Sequence, residues 1–185
     1  MNNSDQSWHP KLAVQLVRYQ EIHVGETSEI ELFQRFMYSS ADIFLRSHSP
    51  GHFTGSCWLV SKDGQRVLLT HHKKLNRWLQ LGGHADGDSD LAHVALREAE
   101  EESGLTDLIV EPEIFDLERH PIPARGSEPE HYHHDVRFVV HANGSEDFIV
   151  SDESHALEWR VISELVDDDE AEESIRRMAR KWLKR

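Results

Sequence analysis

Cysteine is nearly missing from this chain: Cys57 stands alone among 185 residues. An intrachain disulfide is therefore excluded, and nothing implies an oxidising compartment. Long apolar runs are missing too, with none near the roughly 18 residues of a membrane span. The opening "MNNSDQSWHP" has no basic patch followed by an apolar core, so it does not read as a signal peptide. A cytoplasmic protein with no membrane partner is expected. Positive charge is short as well, 20 Lys and Arg against 34 Asp and Glu, for a formal net charge of −14. That balance argues against a nucleic-acid partner or an anionic membrane surface. It leaves room for a small anionic substrate, because bound cations can invert a local field.

What is present suits one soluble globular domain, with 38% hydrophobic and 29% charged residues. The first 48 residues read as helical. "HPKLAVQLVRYQEI" places Leu12, Val14, Leu16 and Val17 at roughly helical spacing, with Pro10 suited to a first turn. "TSEIELFQRFMYSSADIFLRS" continues with Thr27 as N-cap and an apolar stripe of Ile30, Phe33, Phe36 and Met37. The period then changes. "FTGSCWLVS" and "QRVLLTHH" read as strands joined through Asp63-Gly64, a strong hairpin signal. "RWLQL" is a third strand, ended by Gly82-Gly83, and "DLAHVALREAEEES" is a helix closed by Gly104. "LIVEPEIFDLERH", "HYHHDVRFVVHA" and "LEWRVI" are further strands. "EAEESIRRMARKWLKR" is a last helix, acidic at its start and basic at its end, as the helix dipole favours. This order predicts an α+β fold or a layered α/β sandwich.

The stretch "REAEEESGL" puts four glutamates into positions 98–102. On a helix, Glu98, Glu101 and Glu102 share a face while Glu100 points elsewhere. A solvated acidic face is one explanation; a hard divalent cation, which would turn the repulsion into binding, is the other. Context favours the second. Gly82-Gly83 follows a strand, a tight acidic loop comes next, then this helix, then a glycine stop. Read from Gly83, the chain carries Gly83, Ser89, Arg97, Glu98, Ala99, Glu101, Glu102, Gly104 and Leu105 at the places of G-x5-E-x7-R-E-U-x-E-E-x-G-U, U being a bulky apolar residue. This is the box of the Nudix hydrolase family, which the chain resembles. Ser89 stands where the family has glutamate, and Ala99 is a small version of the apolar position. The flanking strand pattern extends the resemblance over residues 50–165.

The resemblance implies a Nudix-type α/β/α sandwich with a mixed sheet, here with an N-terminal helical extension. Residues 1–48 would be the extension, 49–168 the core and 169–185 the C-terminal helix of a single domain. It implies Mg²⁺ or Mn²⁺ held by Glu98, Glu101 and Glu102 with the Gly83 carbonyl, and Arg97 orienting a carboxylate. The implied substrate is a nucleoside diphosphate linked to another group, cleaved at its diphosphate linkage. Some family members place a catalytic base in a late loop. Glu153 is the candidate here, with Glu128 and Glu130 as rivals.

Other residues carry two readings each. Lys74 and Arg77 form, with Lys73, the one dense basic group near the box, either steering phosphates or plain surface charge. His84 in the box loop is either a substrate contact or a loop residue. In "EHYHHD", His131, His133 and Asp135 share one strand face, which could bind a transition metal or simply line the substrate mouth. Ser89 suits an N-cap, and Asp88 or Asp90 could stand in for the missing glutamate. That missing glutamate keeps a non-catalytic nucleotide-binding or regulatory module as the alternative function. A related isomerase using a cysteine ranks last, since nothing around Cys57 matches one. The N-terminal helices could serve a homodimer contact.

Overall fold

The computed structural model describes residues 9–126 and 129–185. Helices α1 (Pro10–Ile22) and α2 (Thr27–Met37) precede strand β1 (Gly51–Val60). Then come β2 (Arg66–His72), β3 (Arg77–Leu79), β4 (Leu81–His84), α3 (Leu91–Ser103), β5 (Leu108–Ile122), β6 (His131–Ala142) and β7 (Ser154–Val161), followed by α4 (Ile162–Leu165) and α5 (Glu173–Trp182). The seven strands form one mixed sheet with the path β3-β2-β1-β6-β5, while β4 pairs with β1 and β7 with β2. β1 runs parallel to β6 along its whole length and antiparallel to its other neighbours.

Two apolar layers cover the sheet. On one face, α1, α2 and α3 bury Leu12, Leu16, Tyr19, Ile30, Phe33, Val94, Ala95 and Ala99 against Phe53, Cys57 and Leu59 of β1. On the other, Ile175, Met178 and Ala179 of α5 pack on Trp58, Val60, Val67 and Val139. The expected α/β/α sandwich with helices ahead of it is the fold.

Several local expectations are corrected. Val14 and Val17 are half exposed, and the buried face of α1 runs Leu12-Gln15-Leu16-Tyr19 instead. Gln15 can be buried because its amide donates to Pro112 O. Helix α2 ends at Met37, and turns carry the chain to β1. Thr27 does not cap it: Glu26 holds the N-cap place, and the Thr27 hydroxyl donates back to Val24 O. The β1–β2 hairpin is joined only at its end, Val60 opposite Val67. The middle of β1, Thr54–Cys57, pairs with β4, and β2 turns away to β3 and β7. Gly82 and Gly83 do not end a strand; they lie inside β4, opposite Ser56 and Gly55. A Cβ on Gly82 would fall 2.6 Å from Ser56 Cα, so only glycine lets the two strands approach.

Gly55 has the matching role on β1. A Cβ there would meet Leu91 O at 2.9 Å and Val94 at 2.8 Å. Glycine thus allows α3 to lie directly on the sheet, which sets the height of the box carboxylates over β4.

Candidate active site

Helix α3 begins at an Asp90 N-cap whose side chain accepts from His93 N, and it ends at Gly104 in the left-handed region, φ 68°. The N-cap expected at Ser89 is thereby corrected: Ser89 is exposed, and its neighbours do the work. Asp88 accepts from Asp90 N at 2.8 Å and meets His93 Nδ1 at 2.7 Å. Asp90 also pairs with Lys11. Both aspartates are therefore engaged at the helix start. The small residues of α3 face the sheet, with Ala92, Ala95 and Ala99 buried, which turns the glutamates toward β4.

Glu98 and Glu102 meet the Gly82-Gly83 pair. Glu102 Oε1 accepts from Gly82 N at 2.7 Å. A Cβ on Gly83 would lie 2.5–2.7 Å from the Glu98 carboxyl, so residue 83 must be glycine for that carboxyl to sit where it does. Arg97 donates to Glu98 Oε1 and to His84 O, each at 2.8 Å, and so ties helix to loop. Glu101 is exposed on the same helix. Burial raises the Glu102 pKa to about 8, with Glu98, Glu153 and Glu101 adding to the rise. Burial raises Glu98 as well, against the pull of Arg97. Crowded, half-buried carboxyls whose charges oppose one another are a donor set that a hard divalent cation fits.

The comparisons with known proteins bear on this geometry. The NUDIX domain model matches residues 52–182. The chain belongs to the Nudix family. The match takes in the carboxylate helix and all of α5, and it starts after α1 and α2. No curated protein matches the sequence. Among solved structures, an Ap4A hydrolase of C. elegans aligns with TM-score 0.56 at 20% identity, covering 71% of this chain and 95% of that one. A NUDIX-family hydrolase of Clostridium perfringens gives 0.51 at 25% identity, covering 72% and 96%. The E. coli dihydroneopterin triphosphate pyrophosphohydrolase gives 0.52 at 15%, covering 70% and 92%.

The remaining Nudix candidates are placed unevenly. Glu153 is exposed just before β7, and its charge reaches both Glu98 and Glu102. Glu130 is exposed, and Glu128 lies outside the described residues. Lys74 stands on the exposed β2–β3 turn, and Arg77 is the exposed first residue of β3, where it pairs with Glu172 at 3.3 Å. His84 is drawn into a group of imidazoles, its ring 5.1 Å from those of both His52 and His133. Cys57 is fully buried in β1 and its thiol pKa is pushed up, which suits a core residue.

One residue near the site, His52, carries no strong sequence signal; it is buried on β1. Asp135, already placed on the His131–His133 face, is buried on β6, where it accepts from Thr54, Ser56 and Arg137. The polar residues His52, Thr54 and Ser56 alternate with Phe53, Gly55 and Cys57, and that period of two was the available clue. No helix among the described residues is long and apolar enough to cross a membrane.

Proposed function

We propose that this Nudix protein is a Mg²⁺- or Mn²⁺-dependent pyrophosphohydrolase that cleaves the diphosphate linkage of a nucleoside diphosphate joined to another group. The observation that carries this reading is the convergence of Glu98 and Glu102 on Gly82-Gly83, with Arg97 bracing Glu98. Glu98, Glu101, Glu102 and the Gly83 carbonyl would hold the ion. When bound, such an ion supplies positive charge to the diphosphate and acidifies water. The chain's own groups do the rest. Arg97 fixes the Glu98 carboxyl and the box loop together. Water attacks phosphorus, the bridging P–O bond breaks, and Glu153 takes the proton from the attacking water. Lys74, Arg77 and His84 contribute to substrate binding. For Arg77 this requires release from Glu172.

The second reading, a nucleotide-binding or regulatory module without turnover, draws on one observation. Ser89 replaces the box glutamate and is exposed, and Asp88 and Asp90 are occupied in capping. Two variants separate the readings. Glu101→Gln and Glu102→Gln each remove a ligand charge while leaving the packed face of α3 untouched. Each is expected to lower Mg²⁺-dependent turnover by orders of magnitude while the protein still unfolds in one cooperative transition. Unimpaired turnover in the double variant contradicts the hydrolase mechanism. Metal and nucleotide binding without turnover in the parent protein favours the module.

A further inference from the structure

We propose that His52, His131 and His133 form a second metal site, built from three imidazole nitrogens and selective for Zn²⁺-like transition metals. One ligand nitrogen from each ring can be chosen so that all lie within 4.8 Å of one another. The ring centroids are 4.7 Å apart for His52 and His133, 5.1 Å for His52 and His131, and 5.3 Å for His131 and His133. Sheet register creates the group. β1 and β6 run parallel with His52 directly beside His133. His131 lies two residues earlier on the same face. A four-coordinate Zn²⁺ with bonds of about 2.0–2.1 Å holds its ligand nitrogens about 3.3 Å apart. Metal binding would draw the three nitrogens in from their present separations to that spacing.

Two independent features point to a ligand here. His52 is 1% exposed, and neither of its ring nitrogens has a hydrogen-bond partner among the described residues. A buried imidazole with an unused lone pair is costly, and a coordinated cation satisfies that lone pair. His131 provides the second. Its Nδ1 faces Pro129 O at 2.9 Å, and a carbonyl can only accept. The proton of the neutral ring is thus fixed on Nδ1, leaving the Nε2 lone pair for a metal. This is the outer support that metal-binding histidines commonly have.

The donor chemistry selects the metal. The carboxylate of Asp135, on the same strand face as His131 and His133, is saturated by Thr54, Ser56, Gln80 and Arg137. A site of neutral nitrogens favours Zn²⁺, Co²⁺ or Ni²⁺ over Mg²⁺, which prefers oxygen. His84, next to Gly83, has its ring 5.1 Å from both His52 and His133. The imidazole site therefore borders the carboxylate site while differing from it in ligand type. Three protein ligands leave a coordination position open to water or to a substrate group.

The test reads metal content and does not depend on hydrolysis. The full chain is stripped with chelator, reloaded with Zn²⁺ under excess Mg²⁺, desalted and analysed for zinc. Co²⁺ loading is followed in parallel by the visible bands of four-coordinate Co²⁺. The parent protein is expected to retain one Zn²⁺ per chain and to show those bands. His131→Ala and His133→Ala are expected to lose both, with their melting curves confirming the fold. These partly exposed positions are used because His52→Ala removes a buried ring. Glu101→Gln and Glu102→Gln are expected to keep both signals. Zinc content unchanged in the histidine variants, no zinc retained by the parent, or zinc lost with the glutamates in place of the histidines would each overturn the proposal.

Discussion

The carboxyl of Glu102 shows most directly how the site is tuned. Its pKa is pushed up to about 8, first by burial and then by Glu98, Glu153 and Glu101, whereas an unfolded glutamate titrates near about 4.3. Between those values the native state holds a proton that the unfolded state has lost. Stability of the metal-free protein should therefore fall as pH rises through that window, with the full penalty above about pH 8. Glu102→Gln keeps an acceptor for Gly82 N and removes the charge. In metal-free melts it should gain at least roughly 3 °C over the parent at pH 9 and much less at pH 5. Equal differences at both pH values would contradict this assignment. Gly83 makes a second case. In Gly83→Ala the new methyl would occupy the place of the Glu98 carboxyl, a flexible chain end that can swing away. Activity is expected to drop at least about tenfold while the melting temperature changes little, as paired kinetic and melting measurements would reveal; full activity would mean that the Glu98 position is not critical. At this scale the sequence was most readable where chemistry is dense. Arg97, Glu98, Glu101 and Glu102 were all placed on one helix by spacing alone. His52 was not readable, because only the register of β1 against β6 brings it beside His133.

The start of α3 decides how an element is positioned. "DSD" offers three residues able to cap, and Ser89, standing just before "DLAHVALRE", is the one the sequence suggests. The fold uses Asp90, which both caps His93 N and pairs with Lys11 of α1, a partner that no local pattern reveals. Asp90→Ala should therefore cost about 1 kcal/mol in denaturant unfolding, as N-cap losses commonly do. Ser89→Ala should stay within about 0.5 kcal/mol, as exposed substitutions do. The reverse ranking would restore Ser89 as the cap. The strands failed in a similar way. "RWLQLGG" reads as one strand stopped by glycine, because glycine weakens strands in general. Here Gly82 and Gly83 are inside β4, because β1 and the Glu98 carboxyl come too near for any side chain. Likewise, the Asp63-Gly64 turn was visible. The parting of β1 and β2 beyond Val60 and Val67 was not, because β4, β6 and β7 compete for their edges.

Across the whole molecule, buried charge links the layers that the core separates. Arg137 on β6 is 2% exposed and bonds Asp135 at 2.7 Å and Asp116 at 3.1 Å. Asp116 in turn receives Arg177 and Lys181 of α5, and Lys181 reaches Glu26 ahead of α2. The N-terminal helices, the sheet and the last helix thus share one ionic network, and the same Asp135 accepts from Thr54 and Ser56 on the strand beside β4. Composition could suggest a net charge of −14 but not this internal pairing. The box, by contrast, connected a local pattern to a whole fold, and that fold presents crowded carboxyls with no cation of the chain's own beyond Arg97 in direct contact among the described residues. The central claim is that an external divalent ion completes this site for diphosphate hydrolysis. It is tested most directly by following a panel of nucleoside diphosphates linked to sugars, nucleosides or phosphates by ³¹P NMR, with Mg²⁺, with Mn²⁺ and with EDTA. The predicted result is cleavage at a phosphorus–oxygen bond of the diphosphate linkage for at least one substrate class, dependent on Mg²⁺ or Mn²⁺ and abolished by EDTA. Full turnover in EDTA, or no turnover on any member with either metal, would contradict it.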